Sequence, residues 1–207
     1  MEDNKPLTGI RVLDFSRVFA GPLCTQQMAD LGAEIIKIEH PERGDDTRSM
    51  RPPEIGDEAT FFLAANRNKQ SLALDFTKPA GADIVHALAA KCDVLVENFR
   101  KSVMLRRGLN YEAVQDRHPQ LIYCSVSAYG RSSPLADLPG YDPILQAEAG
   151  LMSFSGEPGQ DPLRHPLSII DIYTSLYATQ AIMAVSHGWL APGHPDPCGT
   201  RRTDFSY

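Results

Sequence analysis

The chain has 207 residues, 43% hydrophobic and 22% charged, the balance of an ordinary globular protein with one domain and at most an appendage. A net charge of −6 excludes a general basic footprint for nucleic acid, although a local basic pocket would suffice for a small anionic ligand. No apolar run reaches the roughly 20 residues that cross a bilayer, and the opening MEDNKPLTG lacks the segments of a signal peptide, so a cytoplasmic protein without a membrane partner is expected.

In chain order, VLDF reads as a short strand ending in a turn. Ala20-Gly21-Pro22 then opens a helix, with Pro22 where a first turn tolerates proline, and Gly32 closes it before a strand from Glu34 to Ile38. This βαβ unit places a ligand at the carboxyl end of its first strand. It lacks GxGxxG, which argues against an ordinary dinucleotide cradle. A charged loop from His40 to about Glu58 follows, then a strand Ser71–Phe76 and a helix Pro79–Lys91. Next come a strand Asp93–Asn98, helices near Val103–Arg107 and Tyr111–Arg117, and a strand Leu121–Ser127. Tyr141 to Met152 reads as helical, and a last helix begins near Asp171. The alternation predicts an α/β fold with a doubly wound, mostly parallel, Rossmann-like sheet over residues 1–186. Residues 187–207 are rich in proline and glycine without an apolar period, and are expected to form an irregular tail.

Cys24, Cys92, Cys124 and Cys198 form no CxxC pair, and His86, His118, His165 and His187 show no metal-binding spacing, so reduced thiols and no metal are expected. Glu42, Asp45 and Asp46 read as a solvated acidic loop. Arg100, Lys101, Arg106 and Arg107 have the pattern of a solvated helix face. Ser168-Ile169-Ile170-Asp171 matches the Ser/Thr-x-x-Asp/Glu capping pattern, which on its own makes Asp171 a helix cap.

A different reading comes from RVLDFSRVFAGPLCTQQMADLGAEIIKIEHPERGDDTR together with NRNKQSLALDFTKPAG, DVLVENF, GYDPILQAEAGLMSFSGEPG and SIIDIYTSLYATQAI. These five segments, in one order and reaching about Ala184, resemble the family III CoA-transferases of the CaiB/BaiF type, which include formyl-CoA transferase. The resemblance implies transfer of CoA from an acyl-CoA donor to a small carboxylic acid, with coenzyme A entering as substrate. It makes Asp171 the nucleophile, passing through an aspartyl anhydride and an aspartyl-CoA thioester. A carboxylate with an ordinary pKa of about 3.9 is ionised at neutral pH and needs no adjacent base, and a helix N-terminus would bring backbone N–H donors near the developing oxyanion.

The resemblance also implies a set of CoA contacts. Val18, Phe19 and Ala20 would lie against the cofactor at the first turn, and His40 near its adenine and phosphate end. Leu74, Asp75, Phe76 and Thr77 would line the adenine pocket. Asn98, Phe99 and Arg100 follow the DVLVE strand, Arg106 would meet a phosphate, and Tyr141 and Asp142 would approach the thioester. Phe76 and Phe99 read equally well as core aromatics. Full-length relatives carry a second, smaller domain and form interlocked homodimers. Neither that domain nor its glycine-rich loop is present in this sequence, so the tail is read as a truncated or out-of-frame end and the interlocked dimer is not expected of this chain. Three alternatives stay open. The chain could be an inactive fragment or CoA-binding module, or a generic Rossmann nucleotide binder. It could also be an α-methylacyl-CoA racemase, although those carry histidine where this chain has Tyr141.

Overall fold

The computed structural model describes residues 5–190 and 202–205. Its elements run β1 (Arg11–Asp14), α1 (Ala20–Asp30), β2 (Glu34–Glu39), β3 (Glu54–Ile55), β4 (Glu58–Ala59), α2 (Thr60–Asn66) and β5 (Lys69–Ala73). There follow α3 (Pro79–Ala89), β6 (Val94–Glu97), α4 (Lys101–Arg106), α5 (Tyr111–Arg117), β7 (Ile122–Val126), α6 (Asp142–Glu148), α7 (Ile169–Leu190) and β8 (Arg202–Phe205). Six strands form one parallel sheet in the order β5-β2-β1-β6-β7-β8.

Strand periodicity explains why both faces are covered. Val12, Val94, Val96, Ile122 and Cys124 point to one face, where Cys24 and Met28 of α1 and Ala178 and Ile182 of α7 bury them. Leu13, Leu95 and Tyr123 point to the other, against Val85 of α3, Met104 of α4 and Val114 of α5. Burying each such aliphatic side chain stabilises the fold by about 1.5–3 kcal/mol. Strand order reverses between β1 and β6, and a doubly wound sheet opens its ligand crevice at that point, beyond the carboxyl ends of the strands.

The observed elements correct several expectations. The strand expected at Ser71–Phe76 begins earlier, at Lys69, because its pairing with β2 starts at Ile35. The helical reading of Tyr141–Met152 breaks at Gly150, whose φ of +72° is left-handed, and a short 3-10 turn follows at Leu151–Phe154. Within the expected loop His40–Glu58 lies a 3-10 turn at Asp46–Ser49, and the β3–β4 hairpin and α2 follow. The tail is not wholly irregular: α7 continues to Leu190, and Arg202–Phe205 pairs in parallel with β7. An uncovered edge of β7 offers a full row of backbone donors and acceptors, a gain that no side-chain period reveals. The remainder of that tail lies outside the described residues. Among the described residues, no helix is long and apolar enough to cross a membrane.

Asp45 overturns the solvated-loop reading most clearly, being only 2% exposed. Its Oδ2 lies 2.9 Å from Nζ of Lys37, a lysine as deeply buried. Asp45 N–H donates to Glu39 Oε2 at 2.9 Å, and Arg48 grips both Glu39 oxygens at 2.8 and 3.0 Å. Burial would raise the Glu39 carboxyl, but Arg48, Ser71 and the Asp45 amide bring it down to about 2. A depressed carboxylate contributes stability that is present above its unfolded pKa, near 4.5, and is lost as pH falls toward 2. Glu39→Gln is therefore expected to lose about 3 kcal/mol at neutral pH by leaving Arg48 without its buried partner. Urea melts across the pH range should show the gap from wild type closing as pH drops through that window; a constant gap would mean that the ion pair is not the cause.

Candidate active site

The site grows from the turn between β1 and α1. Asp14 ends β1 and accepts from Ser16 N–H at 2.9 Å, from the Ser16 hydroxyl, and from Thr25 Oγ1 at 2.6 Å. Lys69 Nζ lies 3.1 Å from Asp14 Oδ2. Burial alone would raise the Asp14 carboxyl, but Lys69 and Lys37 hold it below the usual range. Burial in turn draws Lys69 down to about 8. Gly21 is required here, since a Cβ on it would stand 2.3 Å from Ser16 Cβ.

The next two residues are held from outside the turn. Arg17 N–H donates to Asn98 Oδ1 and Asn98 Nδ2 donates back to the Arg17 carbonyl, both at 2.8 Å. Val18 N–H donates to Asp45 Oδ1 at 3.3 Å, and its φ of +66° is a rare conformation for a β-branched residue. The turn opens onto a cleft of about 350 Å³ at the carboxyl ends of β1, β6 and β7. Its walls are Arg17–Ala20, Asn98–Arg100 and Val103, then Val126–Ala128, with Leu138–Asp142 and Asp171 closing the far side.

Asp171 reaches this cleft because α7 crosses α1. Gln27 Nε2 donates to Ser175 Oγ at 3.1 Å and Thr179 Oγ1 to the Cys24 carbonyl at 3.4 Å, so the first turns of both helices meet the same space. The cap of α7 comes from another element. Asp142, 5% exposed, accepts through Oδ2 from Ile170 N–H at 2.8 Å and from Asp171 N–H at 3.2 Å. Gln146 donates to Asp142 and accepts from His165 N–H at 2.9 Å, tying α6 to the segment that leads into α7.

A sequence profile for CoA-transferase family III matches residues 7–194. The chain belongs to that family. It is 45% identical over 184 residues to the human succinyl-CoA:glutarate CoA-transferase, covering 89% of this chain and 42% of the relative. It is 43% identical to the succinate–glutarate CoA-transferase of Agrobacterium fabrum, covering 86% and 46%. A CaiB/BaiF family protein from Brucella suis superposes with a TM-score of 0.88 at 37% identity, over 98% of this chain and 52% of the other. The chain thus spans about half the length of the relatives it matches.

On this family framework the structure brings Val18, Phe19, Ala20, Asn98, Phe99, Arg100, Tyr141, Asp142 and Asp171 to one cleft. It places the other expected contacts elsewhere. Phe76 is buried edge-on between Phe15 and Phe99, with centroids at 5.3 and 5.5 Å, so its ring faces are core surface. Leu74 packs on the same core. Asp75 and Thr77 form a local turn in which Thr77 N–H and hydroxyl donate to Asp75, outside the cleft. His40 Nδ1 accepts from the Glu42 and Arg43 amides at 3.2 and 3.3 Å, and Arg106 is exposed on α4; neither lines the cleft.

Two expectations about side-chain roles change with this geometry. Asn98 spends its amide on the Arg17 backbone, and Asp142 spends its carboxylate on α7. The Ile170 and Asp171 amides, which would have served a developing oxyanion, are therefore already engaged. Arg17 was missed. Its guanidinium lies 4.8 Å from the Phe99 centroid and 3.9 Å from Asp46, and adjacency to Val18 was a sufficient signal. Ser127 was also missed: its hydroxyl is buried in the cleft wall with no hydrogen-bond partner among the described residues, which no local pattern signals.

Asn98→Asp should keep an acceptor for Arg17 N–H but set a second acceptor against the Arg17 carbonyl. We expect a loss of about 2 kcal/mol from the unpaired Arg17 carbonyl, read from urea denaturation. An unchanged midpoint would remove Asn98 from its role as the clamp of this turn.

Proposed function

We propose that this cleft binds the reactive end of an acyl-CoA and that Asp171 carries the acyl exchange of a CoA-transferase. The observation that carries the reading is the convergence of Asp171 on the first turn of α7 with the β1–α1 turn and the Asn98–Arg100 wall at the reversal of strand order. Family membership supports the reaction class. The names of the relatives at 45% and 43% identity support a succinyl-CoA donor with a short dicarboxylic acid as acceptor.

In this mechanism an Asp171 carboxylate oxygen attacks the thioester carbonyl. The C–S bond breaks, CoA leaves as thiolate, and a mixed anhydride remains. The thiolate then attacks the Asp171 carbonyl, releasing the donor acid as carboxylate and forming an aspartyl-CoA thioester. The acceptor carboxylate attacks that thioester and expels the thiolate. Attack of the thiolate on the acceptor carbonyl gives the new acyl-CoA and returns Asp171. With Ile170 and Asp171 N–H engaged by Asp142, oxyanion stabilisation falls to other donors of the cleft, of which Arg17 and the Ser127 hydroxyl are on its wall. Among the described residues no histidine lines the cleft, which favours transfer over racemisation.

The adenine and phosphate end would leave the cleft past Phe99 along the carboxyl edge of the sheet. There Arg107 Nη1 donates to the Thr77 carbonyl at 2.9 Å, joining the β5–α3 turn to the basic end of α4 where Arg106 is exposed. The resemblance implies homodimers for longer relatives, and the exposed Tyr173, Leu176 and Tyr177 of α7 would offer apolar surface for contact between copies of this chain.

The test is trapping. Protein incubated with succinyl-CoA and hydroxylamine should yield a hydroxamate at Asp171 by peptide mass spectrometry. Asp171→Ala should yield none while calorimetry still detects CoA. A CoA-bound protein that gives no adduct, or gives it at another residue, would exclude the covalent route. Arg106→Ala should weaken CoA more than pantetheine; equal losses would take the phosphate from Arg106.

A further inference from the structure

Arg131 lies in the loop after β7 and is only 8% exposed. Its guanidinium donates in three directions: Nη1 to the Phe99 carbonyl at 2.8 Å, Nη2 to Glu97 Oε1 at 2.5 Å and Nε to Ser125 Oγ at 2.5 Å. The other Glu97 oxygen accepts from Phe99 N–H at 2.9 Å, and Ser125 Oγ donates to Glu97 Oε1 at 2.5 Å. Both backbone polar groups of Phe99 are thus tied to one buried ion pair. Lys101 Nζ in turn holds the Arg131 carbonyl at 3.0 Å, fixing the loop that brings the arginine in.

What lies behind this wall makes those bonds decisive. A second cavity of about 290 Å³, walled by Glu97, Ser125 and Arg131 with Met104, Tyr111 and Tyr123, backs onto the segment whose front faces the cleft. Close packing normally keeps a backbone in place, and here an open pocket adjoins Glu97 and Arg131 on the side away from the cleft. The Phe99 ring rests on Phe76, but its peptide groups depend on the ion pair.

We infer that Arg131 is a positioning residue of the candidate active site, fixing the Asn98–Arg100 wall through the Phe99 carbonyl and the Glu97 carboxylate. The effect reaches further, because Asn98 in that wall clamps the Arg17 backbone and with it the Val18 turn. A guanidinium suits the task since its planar fork serves three acceptors at once, which a lysine ammonium on a flexible stem cannot reproduce in that geometry.

The consequence for ligand affinity rests on the proposal that the cleft takes CoA, so the experiment has two arms. In the first, amide hydrogen exchange is followed by NMR in the unliganded full chain. Arg131→Lys should raise exchange at Phe99 and Arg17 at least about tenfold while Ile36 and Leu72, in β2 and β5 toward the opposite edge of the sheet, stay at wild-type rates. In the second, calorimetry with CoA itself should show affinity falling about tenfold. Ser125→Ala, which deletes one acceptor and leaves the ion pair, should move both readouts the same way by less, and it serves if the lysine variant does not fold. Wild-type exchange at Phe99 and Arg17 in the variants would overturn the inference. So would an equal rise at every amide, which marks global destabilisation. Failure of the wild-type protein to bind CoA would instead sink the proposed function, and the exchange arm would still decide the role of Arg131.

Discussion

The positive φ of Val18 is the constraint on which the site depends. A β-branched residue in the left-handed region carries about 1–3 kcal/mol of strain and persists only where its surroundings over-determine it. Here they do. Asn98 takes both backbone groups of Arg17, Asp45 takes the Val18 amide, and Lys37 donates to the Ser16 carbonyl at 2.8 Å. Asp45 and Lys37 are themselves a buried pair, framed by Glu39 and Arg48. Replacing buried ion pairs with well-packed apolar residues often leaves stability unchanged or raises it. Charges so deep in β2 are therefore better understood as fixing one backbone shape than as stabilising the sheet.

That shape matters because of where the topology puts it. The reversal of strand order between β1 and β6 leaves the ends of those strands uncovered by a crossover. The turn after β1 and the segment after β6 face each other there, and Asn98 joins them directly. The crossing of α1 and α7 adds the first turn of α7 to the same crevice. Each partner is remote in sequence: Asn98 and Arg17 are 81 positions apart, and Arg131 and Phe99 are 32 apart. The cleft is consequently a property of the folded sheet rather than of any single segment.

This separation explains what could be read in the amino-acid order. Local signals worked well. Pro22 and Pro79 in first turns, the strand-like runs VLDF and DVLVE, and a short helix at Tyr111–Arg117 were all legible from patterns within a dozen residues. Buried polar partners were not. Lys37 in EIIKIE looks like a solvent-facing position, and only Asp45 and the Ser16 carbonyl make its burial tolerable. Phe76 was ambiguous because adenine stacking and core packing both ask for an aromatic ring; Phe15, distant in sequence, decides for the core. The strand at Arg202–Phe205 was hidden for a related reason, since its pairing rests on backbone groups of β7.

The N-terminus of α7 shows how a cap and a chemical group can be separated. Ser168-x-x-Asp171 has the form of a local capping box, in which the serine side chain would serve the third amide of the helix. Instead the Asp142 carboxylate, from α6, takes the second and third amides. Anchoring the helix from outside has a geometric consequence. A local cap moves with its own helix, whereas Asp142 ties the first turn of α7 to α6 and, through Gln146, to the chain entering at His165. Gly140 is equally constrained: a Cβ there would stand 2.2 Å from that of Ala128 in the opposite wall, so the loop carrying Tyr141 and Asp142 is pressed against the end of β7. The helix start, the loop before α6 and the carboxyl end of β7 are therefore joined by direct contacts. Asp171 is held at the cleft by an acid whose own carboxylate is already occupied, and two neighbouring carboxylates can share the positive end of one helix without doing the same work.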